Sequence, residues 1–219
     1  MNLDLGLFWT YRIFVLKGIG TTVLLTLTAQ GIALILAILT ALGRLSDRRM
    51  LRLAAGSYVE FVRGTPVLAQ VFWVFYCVPI FTGFDWSPLT GAIVALSFNV
   101  GAYDAEVFRA GIQSVHHGQV QAARALGLSR FWTFWSIVLP QATRVVLPPL
   151  LNNFIGLLLL TSLVSTIGVQ ELTYVAGKLN VATYQSVAVF TGVAILYLGV
   201  SLLSSFGIRR LENVYAKRD

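Results

Sequence analysis

The stretch Gly118–Pro140, GQVQAARALGLSRFWTFWSIVLP, decides how this chain is read. It is polar, Ala-rich and Arg-bearing, and it lies between hydrophobic segments of membrane-spanning length. Its first part predicts a short helix, a stop and a restart. Gly127 can take the left-handed conformation that ends a helix without a Cβ penalty. Ser129 can then cap the next helix. Ala122 and Ala123 keep one surface low, so a partner can come close. Val120, Leu126, Leu128 and Phe131 supply apolar contact. The competing reading is an ordinary interfacial helix between two spans, which does not require this spacing.

Composition sets the environment. Of 219 residues, 57% are hydrophobic and only 11% charged. Soluble domains have about a quarter of their residues charged, so this chain belongs to the membrane class. The net charge of +7 suits a membrane protein with basic cytoplasmic flanks better than a nucleic-acid binder. Cys77 stands alone and reads as a small hydrophobe. The first long apolar run, Gly18–Gly43, exceeds the roughly 7–15 residues of a signal-peptide core, so no cleaved signal is expected.

The expected fold is all-α and multi-pass, one domain over 1–219 with about five spans. These run Lys17–Leu42, Tyr58–Val78, Pro88–Ile112, Trp132–Leu163 and Tyr184–Ile208. Pro148-Pro149 predicts a kink or break in the fourth, since each ring removes a donor and clashes one turn back. Arginines 44, 48, 49 and 52 fill the first connection, and 109, 124, 130 and 144 surround the third. Arg209, Arg210, Lys217 and Arg218 mark the tail. The connection 79–87 has no basic residue and 165–183 only Lys178. The positive-inside rule therefore places the N-terminus outside and the C-terminus in the cytoplasm. Phe8, Trp9 and Tyr11 are expected at the outer headgroup level.

Helix packing is also legible. Thr22, Thr26 and Gln30 recur at four-residue spacing, and Ala33, Ala37 and Ala41 continue the stripe. Small and hydroxyl side chains let helices approach closely in a bilayer. Ala188 and Gly192 repeat the spacing in the last span.

Several segments resemble the membrane subunits of polar amino-acid ABC importers. Gln121-Ala122-Ala123, then Gly127, then Ile137-Val138-Leu139-Pro140 follow that family's pattern of EAA, three residues, G, nine residues and I-x-LP. Gln121 departs from it, standing where the family has Glu. Glu60-Phe61-Val62-Arg63-Gly64-Thr65-Pro66 and Ala105-Glu106-Val107-Phe108-Arg109-Ala110-Gly111-Ile112 resemble two further motifs. Thr161-Ser162-Leu163 and Ile167-Gly168-Val169 with Glu171-Leu172 resemble a third region. The resemblance covers nearly the whole chain. It implies a permease subunit of the bacterial plasma membrane, whose loop at about 118–131 couples transport to ATP hydrolysis elsewhere. It implies two cytoplasmic ATP-binding subunits, a second permease subunit, identical or paralogous, and an extracytoplasmic solute-binding protein. Gln121, Ala122, Ala123, Gly127 and Leu128 are the expected coupling residues.

The translocation path is expected to involve Asp104, Asn153, Thr161 and Ser162. Asp104 lies deep in its span, where it faces the path or pairs with a basic residue. Glu60 with Arg63, and Glu106 with Arg109, sit three apart and are expected to pair at helix ends. Leu159-Leu160 departs from the family, which often places Lys and then Asp or Asn there. That departure suggests a different substrate, or a partner subunit that carries the charged site. An opine or compatible solute is the nearest alternative cargo. His116-His117 makes a poor metal pair, because neighbours in a helix point about 100° apart. No metal site, no nucleophile–base pair and no Walker A sequence is found. The chain is expected to bind no cofactor and to be no enzyme, with ATP and Mg in the partner subunits. An ion-coupled carrier would instead show inverted repeats and ionisable groups at the midplane.

Overall fold

The computed structural model describes residues 6–216, with side chains through 206. Among the described residues there are helices and no strands. A one-turn helix, Leu7–Thr10, precedes α1, Arg12–Arg44. Then come α2, Arg49–Arg63, and α3, Val67–Thr82. Helix α4 is Pro88–Gln113 and α5 is His117–Ala125. The long α6 is Arg130–Ile167, followed by α7, Leu172–Thr183, and α8, Ser186–Ala216. The tail residues Lys217 and Arg218, and the side chains of Arg209 and Arg210, lie outside the described part, as do Met1 to Leu5.

Helix α4 is the axis of the bundle. It packs along α1 over most of its length and against α6 on another side. The small stripe of α1 makes this possible: Thr22, Thr26, Gln30, Ala33, Ala37 and Ala41 are all buried. Thr22 and Thr26 spend their hydroxyls on the carbonyls of Gly18 and Thr22, at 3.0 and 2.8 Å. The opposite face carries exposed Leu24, Leu27, Ile35 and Leu39. A polar or small interior beneath an apolar exterior is the distribution a lipid solvent favours.

By length and apolarity, α1, α6 and Ser186–Phe206 qualify as membrane spans. The expected second span, Tyr58–Val78, is not one straight helix. It is the end of α2 and most of α3, bent by 108° and together able to count as a fourth span. The cause lies at Gly64-Thr65-Pro66. Pro66 cannot donate to the Val62 carbonyl, so the helix ends there. Gln70 makes good the loss, its Nε2 donating to Val62 O at 2.7 Å and to Thr65 Oγ1 at 2.7 Å. Asn99 of α4 holds the Gln70 Oε1 at 3.0 Å. The expected third span is α4. It has the length but not the apolarity, because neighbouring helices rather than lipid surround its polar residues.

Of the kink or break expected at Pro148-Pro149, the break does not form. Leu139–Leu160 is continuous α-helix with both prolines inside it. The irregularities lie at the ends of α6, as a π segment at Phe134–Val138 and a 3-10 segment at Thr161–Ile167. The residue four before Pro140 is Ser136, inside that π segment. Likewise Phe75, four before Pro79, lies in the π segment Trp73–Cys77 of α3. Widening the turn removes the clash between the ring and the carbonyl beneath it.

The stretch 165–183 is mostly helix, and Gly168 at φ +89° turns the chain between α6 and α7. Of the aromatic residues near the N-terminus, Phe8 and Tyr11 pack inward against α7 and α8. Gly192 receives Phe8 so closely that an added Cβ would sit 2.0 Å from the ring. Trp9, 75% exposed, keeps an outward position, with Arg12 5.2 Å from its ring centre.

Candidate coupling loop and translocation path

The helix, stop and restart are present at the expected residues. His116 caps α5, its Nδ1 accepting from Gly118 N at 3.1 Å. Gly127 stands at φ +83°. Its N–H donates to Arg124 O at 3.0 Å, and Leu128 N donates to Ala123 O at 3.1 Å. This double closure is the Schellman arrangement, which needs a residue without Cβ strain at the turn. Ser129 then caps α6, accepting from Trp132 N at 3.4 Å.

One expectation is corrected here. Ala122 and Ala123 do not form a common low surface. Ala123 is 1% exposed and packs into its own chain, whereas Gln121, Ala122 and Leu126 face outward. On the inner face, Val120 joins the cluster of Val115, Val138 and Ala142. Gln141 of α6 also donates to Gln119 Oε1 at 2.5 Å. Helix α5 is thus clamped onto α6.

A buried polar knot joins the three central helices. Asp104 is fully buried. Its Oδ2 accepts from Gln30 Nε2 of α1 and its Oδ1 from Asn153 Nδ2 of α6, both at 2.8 Å. Asp104 therefore neither faces an open path nor pairs with a basic residue. Its partners are amides, which a lipid-shielded interior retains only when bonded. Thr161 is also fully buried, donating to Leu158 O at 2.6 Å. Ser162 is half-buried and donates to Leu159 O at 2.8 Å. Of the expected path residues, Asn153 lines a cleft of about 280 Å³, together with Arg63, Tyr103, Glu106 and Pro149. Leu159 is exposed, and Leu160 packs on the core.

The expected ion pairs divide. Glu106 and Arg109 pair as predicted. Glu106 also binds Arg44 at 2.6 Å, which ties the end of α1 to α4. Arg44 was read only as a basic flank, since nothing local points to a partner 62 positions away. Glu60 and Arg63 do not pair with each other. Arg63 lies 5.3 Å from the Tyr103 ring centre instead, a cation–π contact across helices.

Glu171 was matched as a motif residue without a role. It is fully buried and caps α7, accepting from Thr173 N at 2.8 Å and Tyr174 N at 2.7 Å. Tyr197 of α8 donates a third bond at 2.6 Å. Burial pushes this carboxyl's pKa up, while the bonds from Tyr197, Thr173 and Tyr174 oppose the rise. Among the described residues, no group of His, Cys, Asp and Glu could hold a metal ion.

An all-helical bundle with long apolar helices and a short helix clamped to one of them defines a multi-pass membrane protein. The chain belongs to the family described as binding-protein-dependent transport system inner membrane component, whose profile matches residues 9–214. It is a multi-pass plasma-membrane protein and a permease subunit of an ABC transporter. It is similar to the L-cystine transport system permease protein TcyB of Bacillus subtilis, 40% identical over 205 residues, 91% of this chain and 87% of that one. It is similar to the glutamine transport system permease protein GlnP of Escherichia coli, 33% identical over 214 residues, 97% of this chain and 98% of that one. The fold matches the crystal structure of an amino acid ABC transporter with histidines, with TM-score 0.90 and 33% identity. That match covers 97% of this chain and 99% of the other.

Proposed function

We propose that this chain forms part of the translocation path of an importer for an amino acid or related zwitterion. The observation that carries the mechanism is the clamp of α5 onto α6, through Gln119–Gln141 and the Val120 cluster. Two ATP-binding subunits press on exposed Gln121, Ala122 and Leu126. The movement reaches α6, and through Asn153 and the Asp104 knot it reaches α1 and α4. The chain binds no cofactor, and ATP and Mg are held by the partners. A solute-binding protein delivers cargo at the end that carries α7. A second permease subunit completes the path. The cytoplasm lies at the end with Arg44, Arg48, Arg49, Arg52, Arg124 and Arg130.

Leu159 and Leu160 narrow the cargo. At these positions the chain offers a solute no charged partner. A strongly charged amino acid forgoes charge-assisted bonds worth about 1.5–3 kcal/mol each. A zwitterion of no net charge, or a heterodimer whose other subunit holds the charges, fits this wall. The test is co-reconstitution of this chain alone with the ATPase and the binding protein. Uptake of glutamine is expected to exceed that of arginine and glutamate. Robust arginine or glutamate uptake, unchanged by a polar substitution at Leu160, would remove the link between these leucines and selectivity.

Orientation has a separate test. In a Cys77→Ser background, cysteines at Ser46 and Gln119 are expected to resist an impermeant thiol reagent in cells with a permeabilised outer membrane. Cysteines at Thr82 and Lys178, both exposed, are expected to label. The opposite pattern would invert the topology.

A further inference from the structure

Beside the clamp, and sharing its apolar wall, lies a basic cleft of about 500 Å³ between α5 and the start of α6. His117, Arg124 and Arg130 line it together with Gln113, and no acidic side chain does. Neither Arg124 nor Arg130 makes a side-chain hydrogen bond or ion pair among the described residues. Nearby Arg109 is already held by Glu106 and Gln113. The cleft is basic at its mouth and apolar along its walls, where Ile112, Val120, Phe134 and Val138 stand. Beside it, Phe131, Trp132 and Trp135 are 62%, 60% and 51% exposed. Exposed aromatic rings at the start of a span mark the membrane–water interface.

We propose that this cleft binds the headgroup of an anionic phospholipid. The phosphate lies between the Arg124 and Arg130 guanidiniums, whose planar donors suit its oxygens. The proximal part of an acyl chain lies along Val120, Phe134 and Val138. Basic pockets between helices at headgroup depth take such lipids. A zwitterionic headgroup fits less well, since its ammonium meets three basic side chains and no carboxylate. A lipid held here bridges the coupling helix and the span that it moves, so membrane composition enters the coupling step.

The test is native mass spectrometry of the full chain in detergent, titrated separately with phosphatidylglycerol, phosphatidylcholine and glycerol phosphate. The wild type is expected to hold phosphatidylglycerol about 30-fold more tightly than Arg124→Gln/Arg130→Gln does. Phosphatidylcholine should bind both alike. Arg124→Lys/Arg130→Lys should keep most of the preference, and it decides the matter should the glutamine variant fail to fold. Absence of a phosphatidylglycerol preference in the wild type, or its survival in the glutamine variant, would overturn the site. Equal binding of glycerol phosphate would assign the cleft to a soluble phosphate and not a lipid. Displacement of the bound lipid by the ATPase subunit would assign it to the protein interface.

Discussion

Replacing Gly127 by proline is expected to abolish ATP-driven uptake while the chain still inserts in the membrane. Proline is fixed near φ −65° and cannot adopt the +83° found here. It also removes the N–H that closes on Arg124 O. The local cost is on the order of 3 kcal/mol, confined to a turn outside the bundle. What is lost is the angle between α5 and α6, and with it the lever. Two companion substitutions separate the ways in which coupling can fail. Ala122→Leu adds bulk on the exposed face and should block the partner without loosening α5. Ala123→Leu adds bulk at a buried site and should prise α5 from α6, at about 1–3 kcal/mol. ATPase stimulation by the loaded binding protein in proteoliposomes reports on all three. Undiminished stimulation and uptake in Gly127→Pro would sink the coupling assignment.

Gly111→Ala is expected to destabilise the bundle at the contact of α4 with α6. The new Cβ would lie 2.1 Å from Val146 Cγ2 and 3.3 Å from the Ala142 carbonyl oxygen. Val146 is 4% exposed and branched at Cβ, so it cannot swing aside without meeting another neighbour. Overpacking of this kind costs about 1–3 kcal/mol, and a larger residue costs more. Val146→Ala removes the obstructing methyl. The double variant Gly111→Ala/Val146→Ala should therefore melt closer to the wild type than Gly111→Ala does. Thermal unfolding of all four proteins in detergent closes the cycle. Additive losses in the double variant would mean that α4 and α6 do not approach as closely as the structure has them.

Much of the local structure was legible because its causes are local. The turn at Gly127 follows from one glycine between two helix-forming runs, with Ser129 placed to restart the second. The buried stripe of α1 follows from four-residue spacing, since residues four apart share a helix face. The Glu106–Arg109 pair follows from three-residue spacing, which also places two side chains side by side on a helix. Pro66, by contrast, was matched as part of a motif and its bend went unread. The missing donor at Pro66 was visible in the sequence, and Gln70 four residues on was the available replacement.

Some readings failed because composition cannot tell one side of a helix from another. Ala122 and Ala123 are the same residue, yet α6 covers one and leaves the other exposed. Pro148-Pro149 should break an isolated helix, but inside the bundle the helix continues, and the widened turns lie beneath Pro79 and Pro140. Glu60 and Glu106 are each followed three residues on by arginine. Only Glu106 pairs with its arginine, because Tyr103 draws Arg63 to another helix.

The sequence by itself determined the solvent, the helical class and the place of the turn at Gly127. Each follows from hydropathy, spacing, or a single residue with unusual backbone freedom. Only the tertiary structure decided that Asp104 is held by two amides, that Arg44 completes the Glu106 cluster, and that Glu171 caps α7 under Tyr197. Each joins helices distant in the chain. A buried polar group accepts whichever donor folding brings within about 3 Å, and that choice belongs to the packing of the bundle.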